Sequence, residues 1–309
     1  MRRLLPAVAA ALVLLTACGS SGSGGSSASA APSGNMPAVS GSYGDKPTLR
    51  FPNSEPSKTL QKQVLSEGKG APVAKGDLLV ADYLGQIWKG KVFDNSYDRK
   101  LPAAFPIGVG QVITGWDEGL VGVKAGSRVL LSIPPDKGYG TSGNSQAGIS
   151  GTDTLVFVVD IVKSYPGTSA GDPKATPQPA PTTGPQVTGA LGKQPTVTVP
   201  KGSVEPKAVT VTVLAKGSGA PVKAGLVVMQ YEVVDWTGKS VSSTWKAGSP
   251  AGEPSGDAAN PTVFDKLAGI PIGSRVLMTI PASSSQPAVA VAIDIVDQPG
   301  TAKEAAAGQ

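Results

Sequence analysis

Histidine is missing from the 309 residues, and cysteine occurs once. The first absence excludes His-based catalytic triads and His-ligated metal centres, and a single thiol cannot build a zinc cage. Charge is scarce as well, at 16% of residues, and no Lys/Arg cluster supplies the footprint of a nucleic-acid binder or a polybasic membrane patch. Setting Arg2 and Arg3 aside with a targeting segment leaves 25 basic against 22 acidic residues, so the net charge falls from +5 to +3. Aromatics make up only 5%, whereas Gly (40) and Pro (28) are plentiful. Many short strands joined by turns fit this composition better than helices do. The length exceeds a comfortable single core and predicts about two domains.

One long apolar run is present. MRRLLPAVAAALVLLTAC has a basic start, an apolar centre too short to span a bilayer comfortably, and small residues before Cys18. It reads as a secretory signal over 1–17. Leu15-Thr16-Ala17-Cys18 resembles the bacterial lipoprotein box, which implies a diacylglyceryl group on Cys18; the alternative is an ordinary signal peptide containing a chance cysteine. The following GSSGSGGSSASAAPSGN reads as a flexible tether, placed at 18–46. The expectation is an exported body lipid-anchored to the outer face of a bacterial cell membrane.

Three stretches recur along the chain. EGKGAPVAKGDLLVADY (67–83) matches KGSGAPVKAGLVVMQY (216–231), AGSRVLLSIPP (125–135) matches IGSRVLMTIPA (272–282), and TLVFVVDIV (154–162) matches AVAVAIDIV (288–296). Two copies of one domain explain this, each with its own core. The copies are placed at 47–165 and 191–298, with a Pro/Thr-rich linker over 166–190 and a disordered tail over 299–309. LLVADYLGQIW, SRVLLSIP and TLVFVVDIV read as strands. One short helix begins near Thr114, predicted as its cap with Asp117 completing a capping box and Glu118 favoured by the helix start. An antiparallel sheet with one short helix makes each domain α+β.

No nucleophile–base pair or phosphate loop is recognisable. The first copy instead concentrates aromatics: Tyr83, Phe93, Tyr97, Phe105, Trp116, Tyr139 and Phe157. Singly, Trp116, Phe157 and Tyr83 read as core, Asp94 as a turn residue and Tyr139 as a loop aromatic. Their order and spacing say more. ADYLG, KVFDNSYDR, FPIGVGQVITGWDEGLVGVKAGSRVLLSIPPDKGYG and DTLVFVVDIV together resemble an FKBP-type peptidyl-prolyl cis–trans isomerase domain over 60–163.

The resemblance implies a curved antiparallel sheet wrapped across a short helix, with an apolar pocket for a proline ring and no cofactor or metal. It makes Trp116 the pocket floor, with Tyr83, Phe93, Phe105, Val112, Ile113 and Phe157 around it. Asp94 and the Tyr139 hydroxyl become its polar groups, and the Ile113 N–H the donor to a substrate carbonyl. Ile149 matches a flap residue, in a loop whose length departs from the common pattern and which offers Gly143-Asn144 where many members carry histidine.

The second copy keeps the strands but not these groups. Val241 and Ser242 stand at the Phe93 and Asp94 positions, Phe264 at Trp116 and Val263 at the preceding glycine; Ile270-Pro271 interrupts the following turn, and the Tyr139 loop shrinks to SSSQP. Tyr231 survives opposite Tyr83, and Trp236, Trp245 and Phe264 offer a candidate aromatic patch. The leading expectation is a lipid-anchored isomerase acting on proline-containing exported polypeptides and open to macrolide inhibitors. The alternative is a non-catalytic surface chaperone or adaptor that binds proline-containing segments.

Overall fold

The computed structural model describes residues 35–256 and 260–308. The signal segment, Cys18 and most of the tether lie outside these residues. The described chain is mostly sheet with few helices.

The first large sheet has six antiparallel strands. Gln61–Ser66 lies at one edge, followed by Arg128–Ile133, Leu155–Tyr165 and Leu78–Ile87. The free side of Leu78–Ile87 is shared: Ala103–Pro106 pairs with its first half and Val92–Asn95 with its second. Alternate residues of the central strands (Leu79, Ala81, Tyr83, Val129, Leu131, Phe157, Val159) point to one face, where Trp116 and Leu120 of the helix Thr114–Leu120 complete the core. Leu78, Val80, Leu130, Val156 and Val158 fill the opposite face. Burial on both faces explains why these strands read as near-continuous apolar runs.

The second large sheet repeats this pairing. Thr210–Lys216, Arg275–Ile280, Val289–Asp297 and Gly225–Asp235 are neighbours in that order, and Gly225–Asp235 again shares its outer side between Ala251–Ser255 and Ser240–Ser243. Its helix counterpart is a five-residue 3-10 turn, Val263–Leu267. The sheets touch through Leu78, Val80 and Tyr165 packed with Leu226 and Val228, and the Tyr165 hydroxyl donates to Asp297 at 2.8 Å.

Three expected boundaries change. The tether drawn to residue 46 runs into structure, because Ala38–Ser40 and Thr48–Arg50 form a hairpin whose Met36 and Val39 are buried against the first sheet. The linker drawn at 166–190 is not a free spacer: Thr176–Pro177 adds a strand to the second sheet, and Gln186–Thr188 pairs with Thr196–Thr198 in a second hairpin. The tail drawn as disordered contains a helix, Ala302–Ala307, whose Thr301 and Glu304 form a capping box.

Each hairpin is held by a buried arginine. Arg128 makes a two-pronged ion pair with Asp160, at 2.6 and 2.7 Å, and donates to the Gly41 and Asp45 carbonyls of the first hairpin. Arg275 pairs with Asp294 at 2.5 and 2.8 Å and donates to the carbonyls of Gly189, Ala190 and Lys193 in the second. These bonds satisfy charges that would otherwise be costly to bury. The repeat therefore extends upstream to the hairpins. The C-terminal helix returns to the first sheet, where Ala302 N–H donates to the buried Asp82 carboxylate at 2.6 Å.

Candidate active site

The two opposed registers that cross Gly85 place Asp94 on one side of it and Phe157 on the other. A Cβ at Gly85 would come within 2.7 Å of the Phe93 ring and 2.8 Å of the Phe157 ring. Glycine is what lets both rings close over the strand. From the other side, Gly115 and Gly119 let the helix approach: a Cβ on either would meet Ile133 or Leu131 at 2.5–2.8 Å. This close approach sets Trp116 deep against the sheet, only 4% exposed.

Four rings meet there edge to face. Trp116 lies 5.5 Å from Tyr83, 5.1 Å from Phe105 and 5.3 Å from Phe157, with interplanar angles between 73° and 87°. Such pairs contribute about 0.5–1.5 kcal/mol each beyond their buried area and hold the rings in fixed orientations. They frame a cavity of about 530 Å³ whose wall also includes Phe93, Asp94, Val112, Ile113 and Tyr139. The Trp116 Nε1–H is buried without a hydrogen-bond partner.

The polar side is organised by a group that sequence reasoning missed. Arg99 donates to Asp94 at 2.6 Å and to the Tyr83 hydroxyl at 3.1 Å, and Tyr83 donates a short hydrogen bond to Asp94. Arg99 also stacks 5.8 Å from the centre of the Tyr83 ring. The turn that brings it back is visible in the sequence, since the Asn95 side chain accepts from Asp98 N–H in DNSYDR. Burial pushes the Tyr83 phenol up to about 12, reinforced by the Asp94 carboxylate. Burial would also raise Asp94, but the Tyr83 and Arg99 hydrogen bonds outweigh it and hold that carboxyl below its ordinary value.

Of the ten pocket residues expected from sequence, nine line this cavity; Ile149 does not. Ile149 is buried in the adjoining core, and its backbone exchanges two 2.9 Å hydrogen bonds with Asn144. It shapes the loop next to the cavity rather than the cavity itself. Tyr97 also lies elsewhere, its hydroxyl donating to Asp160. Helix capping differs from expectation too. Ile113 is the N-cap and no side chain caps it, because Asp117 accepts instead from Gly108 and Gly110 N–H at 2.6 and 2.7 Å. That shapes the loop leading to Val112 and Ile113. Glu118 is drawn to Lys137 at 2.7 Å. Tyr139 is 37% exposed, its hydroxyl unbonded to any described residue. Among the described residues no three potential ligands gather around a metal position.

Comparison with known proteins decides the lineage. The model of the family "FKBP-type peptidyl-prolyl cis-trans isomerase" matches residues 69–162. An FK506-binding protein of Streptomyces anulatus is 39% identical over 119 residues, covering 38% of this chain and 96% of that one. The chain belongs to the FKBP-type peptidyl-prolyl cis–trans isomerase family. A peptidyl-prolyl cis-trans isomerase of Schizosaccharomyces pombe is 42% identical over 104 residues, 33% of this chain and 92% of its own. Escherichia coli FkpA overlays with a TM-score of 0.32 at 42% identity, over 34% of this chain and 48% of that one. The FKBP match contains the whole aromatic cavity, from Tyr83 to Phe157.

In the C-terminal half, Tyr231, Val241, Ser242 and Phe264 line a hollow of about 390 Å³. The expected aromatic patch does not form as one surface. Trp236 packs with Val197 and Val234, donating to Ser203 O at 3.0 Å, whereas Phe264 belongs to the cluster around Met229 and Ile293.

Proposed function

We propose that the aromatic cavity catalyses cis–trans isomerisation of X-Pro bonds in exported polypeptides. Rotation about a peptide bond faces a barrier of about 18–20 kcal/mol because resonance keeps it planar. X-Pro bonds populate both isomers, yet exchange takes tens to hundreds of seconds. No bond need be made or broken; the catalyst must favour the twisted bond over either planar form.

The carrying observation is the right-angled cluster of Tyr83, Phe105 and Phe157 around Trp116. Its faces suit a proline ring resting on the indole, and its apolar walls withdraw water from the planar amide, whose carbonyl dipole water stabilises most. Ile113 sits at the rim; its carbonyl accepts from Trp116 N–H, and its own N–H is available to hold a substrate carbonyl. Tyr139, also in the lining, offers a hydroxyl. Asp94, held charged and fixed in place by Tyr83 and Arg99, gives an oriented ion-pair dipole along one side, against which the twisting amide is oriented.

Export and anchoring rest on the leader and on Cys18, whose conversion to serine is expected to abolish incorporation of a labelled fatty acid. The C-terminal half is read as a second FKBP-like unit without turnover, supported by its repeated strand order and Arg275–Asp294 pair beside the loss of tryptophan, aspartate and loop tyrosine. FK506-like macrolides are expected to occupy the aromatic cavity and compete with peptide.

The test is the exchange rate of a short proline peptide followed by NMR or a conformer-selective protease. The full chain should accelerate exchange, and Trp116→Ala should lose most of that acceleration. A rate equal to the uncatalysed one would overturn the reading, as would full activity in Trp116→Ala combined with Tyr139→Phe.

A further inference from the structure

The hollow in the C-terminal half carries a charge at a position where the first cavity has a ring. In the first sheet Leu79 faces Phe105 across the strand pair; at the same register in the second, Val227 faces Glu253. A carboxylate thus replaces an aromatic wall. Among the described residues Glu253 is the only charged side chain lining the hollow; it is partly buried and makes no hydrogen bond or ion pair with any of them. Around it stand Tyr231, Phe264, Met278 and Val291. Burial raises its carboxyl above the ordinary range, in keeping with the lack of a partner among the described residues.

We infer that this hollow is a binding site for a basic side chain, arginine or lysine, of an extended polypeptide segment. An apolar concavity with one unpaired carboxylate fits an amphipathic cation: the methylene stem lies on the apolar walls and the charged head meets the acid. Tyr231 and Phe264 add ring faces that attract cations. A metal ion is not favoured, because among the described residues no group of three His, Cys, Asp or Glu side chains includes Glu253. A proline ring fits poorly, because the aromatic floor and walls of the first cavity give way here to Phe264, Glu253, Val241 and Val291.

The strand Ser240–Ser243 favours a polypeptide over a free amine. It lies at the edge of its sheet, pairs only with Gly225–Asp235, and contributes Val241 and Ser242 to the hollow's rim. An extended segment laid along that edge gains main-chain hydrogen bonds while directing a side chain inward. The site would hold a client by a positive residue while the other cavity acts on a proline elsewhere in it.

The experiment uses the full chain and two end-blocked tripeptides, leucine–arginine–leucine and its neutral twin with citrulline in the centre. Titration calorimetry should show the arginine peptide bound about tenfold more tightly, the ratio expected of one partly desolvated charge pair. Glu253→Gln, nearly isosteric, should erase the ratio and leave proline-peptide isomerisation unchanged. Val291→Trp, which fills the hollow, should weaken both peptides. Equal affinities in the native chain, or a preference that survives Glu253→Gln, would overturn the inference. So would a preference lost in Trp116→Ala, since that would move the binding to the first cavity. None of these outcomes depends on the isomerase reading.

Discussion

The two hollows hang on the same strand positions but put their bulk in opposite places. In the first, Gly85 lies between Asp94 and Phe157, and large rings close over it. In the second, Val233 lies between Ser242 and Val291, so a branched side chain fills from the strand what rings supply from above. The helices differ in the same sense. Gly115 and Gly119 bring Thr114–Leu120 against Ile133 and Leu131, whereas Val263–Leu267 is a 3-10 turn that buries Leu267 itself. Both arrangements fill their cores. Only the first leaves an aromatic basin with an organised acid, so the site depends on glycines behind the rings as much as on the rings.

The substitution that should separate the two most sharply is Gly85→Val, which gives the first sheet the second sheet's residue. Its side chain would enter the Phe93 and Phe157 rings. Overpacking should cost about 1–3 kcal/mol of stability, and displaced walls should lower kcat/KM about 100-fold, measured by denaturant unfolding and proline-peptide exchange. Retained activity would show that ring placement is not what distinguishes the hollows.

Next come the features the halves share. Arg128→Ala and Arg275→Ala should each cost about 3–5 kcal/mol in urea unfolding, because each strands a buried aspartate. A much smaller loss for one would break the equivalence of the two hairpin anchors.

Tyr83 and Tyr231 offer a finer contrast. Tyr83→Phe removes a donor to Asp94 and an acceptor from Arg99, and should cost about 1 kcal/mol together with a severalfold fall in kcat/KM. Tyr231→Phe should change stability by less than about 0.5 kcal/mol, since no described residue bonds its hydroxyl.

The smallest expected effect is that of pH. The stabilisation given by the Asp94 charge is complete above the ordinary value of 3.8 and fades as pH falls through its lowered value. That given by the Tyr83 proton is complete below 10.0 and fades as pH rises toward about 12. The pair therefore keeps one protonation state between, and kcat/KM should be flat from about pH 5 to 9. A bell-shaped profile centred in that range would require a titrating group outside this pair.

Much of the architecture was legible because the strands are buried on both faces and so declare themselves as apolar runs. The cavity was legible through the family resemblance of its order of residues. What escaped notice rests on partners far along the chain. The hairpins have three-residue strands among Gly and Pro and look like tether or linker; only their docking on Arg128 and Arg275, 82 to 87 residues away, makes them structure. Yet VSGSYGDKPTLRFP and VTGALGKQPTVTVP do repeat, a signal that was available. Asp117 had the spacing for a capping box, but two loop N–H groups competed for its carboxylate and won. Thr301 and Glu304 carry the same signature and do form the box, in a stretch too short and alanine-rich to look ordered.

The helix Ala302–Ala307 ties the first sheet to a stretch made long after it. Asp82 receives the Ser96 hydroxyl from 14 residues away and Ala302 N–H from 220 residues away. Ser96 itself caps Tyr83 N–H, beside the turn that carries Asp94 and Arg99. A chain emerging from its N-terminus can fold the first sheet early, but one oxygen of a buried carboxylate waits for residue 302 before its intended partner exists. An early stop that removes the C-terminal helix would thus reach back across the whole protein and loosen the turn beside the aromatic cavity.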